Sequence, residues 1–363
     1  MQSQMENRRN ILGLMSGTSL DGVDLVLVSF RWQKNALEST ISYEILQSET
    51  YAYNFNWKER LSKANLLNGL DLKLLDHDLG MHFAHLIKDF IQGLDIPIDA
   101  ISSHGHTVFH NPAAAMTCQI GNGPEIALET GILTICDFRV QDVLLGGQGA
   151  PLVPIGDDLL FTEFGACLNL GGFANVSYSH EGRRIAFDIS PVNYLLNHYC
   201  RKSNLEYDAG GALARKGEVC APLVKELDAY DFYHQEMHHP KSLGQEQILD
   251  FYLPLIDSYN LSLNAVLATI VEHAVNQIHR VLAPMGKTVL ITGGGAYNDY
   301  LIELLQKENL KITLPSPELI EFKEALIFAL LGLLKQEDKI NIYASVTGAK
   351  KDHSSGVIHY PVR

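Results

Sequence analysis

Apolar residues fall into short runs at the start of the chain and into helical spacing further on. ILGLM (residues 11–15) and VDLVLVSF (residues 23–30) are near-continuous apolar stretches, as strands covered on both faces require. Between them lies SGTSLDG, dominated by small and hydroxyl-bearing residues. Residues 41–50 continue as a third strand. In residues 71–92 the side chains Leu72, Leu75, Leu79, Phe83, Leu86, Ile87 and Phe90 recur at helical spacing and predict a helix. DAISSHGHTVFH predicts a short strand running into a loop rich in Ser, His and Gly. GPEIALETG (123–131) predicts a helix closed by glycine, and ILTICDF a buried strand.

The opening pattern then returns. ACLNLGGFANVSYSHEGRRIAFDIS reads as strand, glycine turn, strand, hairpin turn at EGR, strand. Residues 262–282 form a long helical pattern, KTVLITGGG (287–295) a strand ending in three glycines, and EFKEALIFALLGLL a buried helix. The loop-like GGQGAP (146–151) marks the expected crossing between two halves. We therefore expect a two-domain α/β chain, 1–150 and 151–363, whose C-terminal segment is free to return to the first domain. The likeness between the halves is architectural, and a duplicated α/β architecture would set the two strand turns facing each other across a cleft.

Composition sets bounds on this picture. At 363 residues, 46% hydrophobic and 19% charged, the chain has material for two ordinary cores. A net charge of −14 without an acidic tail argues against nucleic acid or an anionic membrane as partner, though not against a nucleotide held by a local nest of amides. The most apolar run, residues 325–334, is too short to span a bilayer. MQSQMENRRN shows no secretory pattern, and five dispersed cysteines without zinc or redox spacing suit reduced thiols in the cytoplasm. A homodimer is the default assembly for a soluble enzyme.

Three small-residue turns carry the candidate chemistry. SGTSLDG offers amides unshielded by large side chains, with the hydroxyls of Ser16, Thr18 and Ser19, and suits phosphate oxygens. It lacks the Walker lysine and opens no helix, so an ordinary hairpin turn stands beside that reading. NLGGFANVS (169–177) and ITGGGAYN (291–298) repeat the arrangement at the ends of apolar strands, where α/β sheets place ligands.

GLMSGTSLDGVD resembles the opening signature of the anhydro-N-acetylmuramic acid kinases. The likeness continues in order through SHGHTVFH, QIGNGPEIALETGILTICDFR, GGQGAPLVP, NLGGFANVS, AFDISPVN, TGGGAYN, KEALIFALL and SVTGA. The resemblance implies the actin/hexokinase-like (ribonuclease H-like) ATPase fold with ATP in the interdomain cleft. It also implies an activity: water opens 1,6-anhydro-N-acetylmuramic acid, O6 takes the γ-phosphoryl of ATP with Mg²⁺, and cell-wall amino sugar is recycled as the 6-phosphate. On the same ground Gly17, Thr18, Ser19, Leu20, Asp21, Gly22, Val23, Asp24, Gly171 and Gly172 would meet phosphates, and Gly293, Gly294 and Gly295 the nucleoside. Asp188 matches the family's base and Glu324 an acid near sugar and water. Arg139 matches an arginine facing the lactyl carboxylate, and His104 and Asn193 other substrate contacts. Asp21 or Asp24 would reach Mg²⁺ through water.

One departure stands out. Where the family reads D-x-G-P-G-N, this chain has Asp188-Ile-Ser190-Pro-Val192-Asn193, and His106 replaces a common glutamine. Valine suits no position of positive φ, so a second reading stays open: a kinase-like homologue that binds nucleotide or a related sugar without turnover. A metal hydrolase based on His104 and His106 lacks the further ligands and the eight strand–helix repeats of a barrel. His234, His238, His239 and His273 lack the order of a zinc protease motif and read as a polar loop.

Overall fold

The computed structural model describes residues 6–33, 41–235 and 241–362. The chain divides into two compact units, Met1–Leu160 with Phe322–Arg363, and Phe161–Glu321.

In the first unit β1 (Glu6–Ser16), β2 (Gly22–Gln33) and β3 (Ser42–Ala52) form an antiparallel meander. β4 (Ala100–Asn111) joins β1 in parallel, and β6 (Thr134–Cys136) joins β4 in parallel. β5 (Met116–Ile120) pairs with the far end of β4. Side chains alternate across β1. Leu12 and Leu14 enter the core with Leu79 and Phe83 of the helix Gly69–Ile91. That helix starts where Asn68 accepts hydrogen bonds from the amides of Leu70 and Asp71, an N-cap that places its first turn just ahead of the apolar pattern. Gly13 points the other way, against the helix Pro317–Gln336, where a Cβ would come within 2.1 Å of the Ala325 carbonyl oxygen. Ser102 of β4 donates to the Phe328 carbonyl of the same helix. Covered on both faces, β1 has reason to be an unbroken apolar run.

The second unit repeats the plan. β7 (Ala166–Leu170), β8 (Phe173–His180) and β9 (Arg183–Pro191) form a meander, β10 (Val289–Thr292) runs parallel to β7, and β11 (Ile312–Thr313) parallel to β10. The helix Leu263–Leu282, capped by Ser262 Oγ on the Ala265 amide, packs its apolar side against this sheet. The first sheet runs β3-β2-β1-β4-β6, with β5 added off this path to β4 and a last strand, Val357–His359, antiparallel to β6. The second runs β9-β8-β7-β10-β11, so the five-strand order is shared, with the second strand of each meander antiparallel to its neighbours. This is the duplicated ribonuclease H-like α/β arrangement.

Two expectations change, the crossing point and the SHGH loop, while the C-terminal return left open above is where Phe322–Arg363 lies. GGQGAP is a loop inside the first unit, and the chain crosses after Leu160. The helix bearing Glu324 belongs from Phe322 onward to the first unit, because Gly13, Ser102 and Gly332 let it lie directly on β1 and β4. The SHGH stretch is strand rather than loop. Between Leu14 and Ser16 the register with β4 slips, two β4 residues (His104 and Gly105) facing one, and Gly105 at φ 72° absorbs the bulge.

The Gly13 contact yields a test. Gly13→Ala is expected to cost about 1–3 kcal/mol, since a methyl group has nowhere to go without moving the helix. A urea midpoint unchanged from the parent would show that the helix is not seated on β1 at this point.

Candidate functional site

In the first unit β1, β4 and β6 are parallel, so their C-terminal ends share one edge, the side where α/β sheets hold ligands. β1 ends in the SGTSLDG turn, β4 carries His104 near its bulge, and β6 leads through Asp137, at φ 61°, to Arg139. In the turn the Leu20 amide donates to the Gly17 carbonyl at 3.3 Å, and the amides of Thr18 and Ser19 enter no backbone bond among the described residues. Leu20 takes the left-handed conformation, φ 62°, while a Cβ at Gly17 would meet nothing closer than Ser19 Oγ at 3.5 Å. Neither packing nor dihedral demands glycine at position 17, so what its missing side chain leaves open is the approach to the turn from outside.

The expected turn residues separate into outward and inward groups. Thr18, Ser19 and Asp21 are exposed, and the Asp21 carboxylate has no partner among the described residues. Asp24 Oδ1 accepts from Thr50 Oγ1 at 2.6 Å. Gly22 packs under the Tyr51 carbonyl, and Val23 is wholly buried, so its side chain reaches no ligand. The Ser16 hydroxyl is committed internally, to Tyr53 Oη at 2.8 Å and His106 Nδ1 at 3.3 Å, and offers nothing to a phosphate. Burial pushes the His106 imidazole down to about 4. As a neutral ring it still offers one donor and one acceptor, as an amide does. Thr18, Leu20, Asn65 and His106 line a recess of about 180 Å³ beside the turn.

Arg139 is held from two sides. Its Nε and Nη2 donate to His104 Nε2 at 3.0 and 2.8 Å, and Nη1 donates to the Gly149 carbonyl at 2.6 Å. Because arginine only donates, His104 accepts through Nε2 and gives its Nδ1 proton to the Gly105 carbonyl at 2.9 Å. Burial and the adjacent guanidinium hold this imidazole well below its usual range, hence neutral. Both nitrogens of His104 are thus engaged, and its contribution passes through Arg139. Three of the five guanidinium N–H groups are used, which leaves one on each terminal nitrogen, the pair a carboxylate's two oxygens would meet. Glu324 is exposed and forms no hydrogen bond among the described residues. The protein around it raises its carboxyl above the ordinary value and Asp24 adds to the rise, against the pull of Arg139 and Lys323.

In the second unit the turn after β7 is built by its carbonyls. Gly172 O accepts from the amides of Val192 (2.9 Å) and Tyr194 (3.0 Å), Gly171 O from the Asn193 amide, and Leu170 O from Asn193 Nδ2 (3.2 Å). Asn193, expected to touch substrate, therefore ties the turn to the start of the helix Asn193–Lys202. The Gly171 amide is spent on Phe173 O, so only part of this turn is free to serve a phosphate. Gly293, at φ 82°, passes so close to the same turn that a Cβ would fall 2.6 Å from Asn169 Oδ1. Gly294 is open, and Gly295 seats against Leu170.

Asp188 lies at the end of β9, opposite Asn175, one residue before a register shift. Its amide donates to the Lys241 carbonyl and its Oδ2 accepts from the Leu243 amide, each at 2.9 Å, while Oδ1 has no partner among the described residues. Burial pushes the carboxyl up to about 6, and the Leu243 N–H opposes the rise. Lys241 fixes this strap by donating to the Phe232 carbonyl at 3.1 Å, with its ammonium over the Phe232 and Phe187 rings. Sequence reasoning missed Leu243 because a main-chain donor leaves no mark on residue identity.

The two unusual residues of the Asp188 loop serve the core. Ser190 is fully buried and gives its hydroxyl to the Pro191 carbonyl at 3.1 Å. Val192 is fully buried in the second unit's apolar cluster, and its φ of −128° is not positive. As for the rejected metal readings, His238 and His239 lie outside the described residues, and buried His273 bonds Asp228 and Tyr233. No group of three metal-ligating side chains occurs among the described residues.

The family model for anhydro-N-acetylmuramic acid kinase matches residues 9–361. A protein of that name from Hydrogenovibrio crunogenus is 33% identical over 368 residues, covering 96% of this chain and 98% of its own. Another, from Vibrio cholerae, is 34% identical over 389 residues, covering 98% and 100%. Among solved structures, the activator of 2-hydroxyisocaproyl-CoA dehydratase from Clostridium difficile with bound ADPNP aligns over 92% of this chain and 99% of that one, at 13% identity and a TM-score of 0.43.

The position of Val192 sets the expected effect of restoring a glycine there. Val192→Gly should lose about 2–4 kcal/mol, from the cavity and the freed backbone together, with nucleotide affinity retained. A variant as stable as the parent, with altered turnover, would return this residue to the ligand surface.

Proposed function

We propose, from the premise that this chain belongs to the anhydro-N-acetylmuramic acid kinase family, that it hydrolytically opens 1,6-anhydro-N-acetylmuramic acid and phosphorylates O6. The chain is an ATP-dependent phosphotransferase with an alcohol acceptor, acting in the turnover of cell-wall amino sugar. No helix among the described residues is long and apolar enough to cross a membrane. The reading puts the enzyme in the cytoplasm, where ATP is supplied and free cysteines persist, and takes a homodimer as the default assembly.

The observation that carries the residue assignment is the Asp188 carboxyl, raised to about 6 and held by one oxygen only. In our reading Asp188 Oδ1 takes a proton from water as the water oxygen bonds to the anomeric carbon. The bond from that carbon to O6 breaks, and the electron pair left on O6 attacks the γ-phosphorus, releasing ADP. A base whose acid form titrates near 6 is ionised at neutral pH yet still basic enough to take the proton in the transition state. Arg139 receives the lactyl carboxylate on its two remaining N–H groups, and Glu324 lies beside that guanidinium toward the sugar. The turn residues Gly17–Ser19 and Gly172 meet the phosphates, and Gly293–Gly295 the nucleoside. Mg²⁺ suits the exposed, unpartnered Asp21 carboxylate, with water and phosphate oxygens completing its shell, and would offset phosphate charge.

Ser190 and Val192 had motivated a non-catalytic reading. Both are absorbed by the core, so the motive is gone.

The assignment makes two expectations measurable in a coupled ADP-release assay. Asp188→Asn should lose about 10²–10⁴-fold in turnover with ATP affinity kept. In the parent enzyme the active form is deprotonated, so kcat/KM should fall as pH drops through about 6. Near-normal turnover of the Asn variant, or a flat profile between pH 5 and 7, would refute Asp188 as base.

A further inference from the structure

The aim of Arg139 is set by a residue that does not touch it. Gly149, whose carbonyl holds Arg139 Nη1, belongs to the GGQGAP loop, and that loop is wrapped around the carboxylate of Asp142. Asp142 is completely buried. Its Oδ2 accepts from the Gly149 amide at 2.7 Å, and its Oδ1 accepts from Thr347 Oγ1 at 2.6 Å, with His353 Nε2 at 3.6 Å. The loop lies so close that a Cβ at Gly147 would come within 2.3 Å of Oδ2, and the Gly147 amide closes onto the Asp142 carbonyl at 2.9 Å. The Gln148 amide donates to the Thr347 carbonyl at 2.8 Å, so the SVTGA segment grips the same loop a second time.

An ionised carboxylate only accepts, on both of its oxygens, and both are used here by donors from separate segments. Gly149 is therefore held through its amide by Asp142 and, across its Cα, accepts from Arg139 on its carbonyl. We propose that Asp142, braced by Thr347, is a positioning residue that sets the direction of the Arg139 guanidinium and so governs recognition of the lactyl carboxylate of the sugar. The inference rests on the reading of Arg139 as the carboxylate receptor and adds to it the support that makes the receptor selective. Asparagine at position 142 would keep size and shape but lose the charge. Its NH2 either opposes the Gly149 amide, donor against donor, or turns the Thr347 hydroxyl from donor to acceptor, and in both cases the charged grip on the loop is lost.

The test is titration calorimetry on the full chain with three ligands: 1,6-anhydro-N-acetylmuramic acid, 1,6-anhydro-N-acetylglucosamine, which lacks the lactyl group, and a non-hydrolysable ATP analogue. Asp142→Asn is expected to weaken the muramic sugar about tenfold, as for loss of one well-aimed charged contact. The other two ligands should change by less than about twofold, because the contact they lack is the only one disturbed. Thr347→Val should act in the same direction more weakly, with Thr347→Ser restoring the parent behaviour, and serves if the Asn variant does not fold. Equal weakening of both sugars, or no weakening of the muramic sugar in either variant, would overturn the positioning role. Arg139→Met separates the two layers. Loss of muramic-sugar selectivity there with none in the position 142 and 347 variants sinks the relay alone, whereas retained selectivity in Arg139→Met sinks the receptor reading beneath it.

Discussion

A strand that ends inside a protein must still satisfy its carbonyls and amides, and this requirement organises the turns at the ends of β1 and β7. In the second unit the carbonyls of Leu170, Gly171 and Gly172 are all taken up by residues 192–194. In the first, Gly17 O is closed by the Leu20 amide while the Thr18 and Ser19 amides stay uncommitted. In both turns acceptors are consumed within the fold; in the first, donors remain as well, the polarity a polyphosphate calls for, whereas in the second the Gly171 amide is spent on Phe173 O. Side chains add to this frame but do not create it, which is why residues as different as Thr, Ser and Gly occupy the turns.

Main-chain groups also tune the charged residues. Burial raises the Asp188 carboxyl, and the Leu243 amide opposes that rise while holding Oδ2. Arg139 is likewise steered by the Gly149 carbonyl, with neutral His104 as the second acceptor. In each case a loop lies against the functional side chain, and a buried or half-buried charge holds the loop: Lys241 under the Leu243 strap, Asp142 under Gly149.

Much of this was readable in the sequence, and the division follows a physical line. The strand pair flanking SGTSLDG, the long helices and the three glycine turns were legible because periodicity and small residues report burial and backbone freedom directly. The resemblance brought Asp188, Arg139 and Glu324 into view by motif. What escaped is what depends on distant partners. GGQGAP looked like a linker because glycine and proline mark loops without saying whether the loop is exposed or wrapped around a buried acid. SHGH looked like a loop because a bulge at Gly105 interrupts the alternation of a strand that continues to Asn111. Val192 looked out of place beside Asp188 because a motif fixes sequence neighbours but not which of them face inward.

The tie between Asp142 and Thr347 spans 205 positions, and the whole of the second unit is spelled out between them. Synthesis therefore supplies the whole of the second unit before this tie can form. The second is contiguous and has all its strands once Glu321 has emerged, whereas the Arg139 edge waits for the last stretch of polypeptide to be released. A nascent or truncated product that stops short of Thr347 carries Asp188, Arg139 and Glu324 and yet lacks the brace behind the Gly149 loop that holds Arg139.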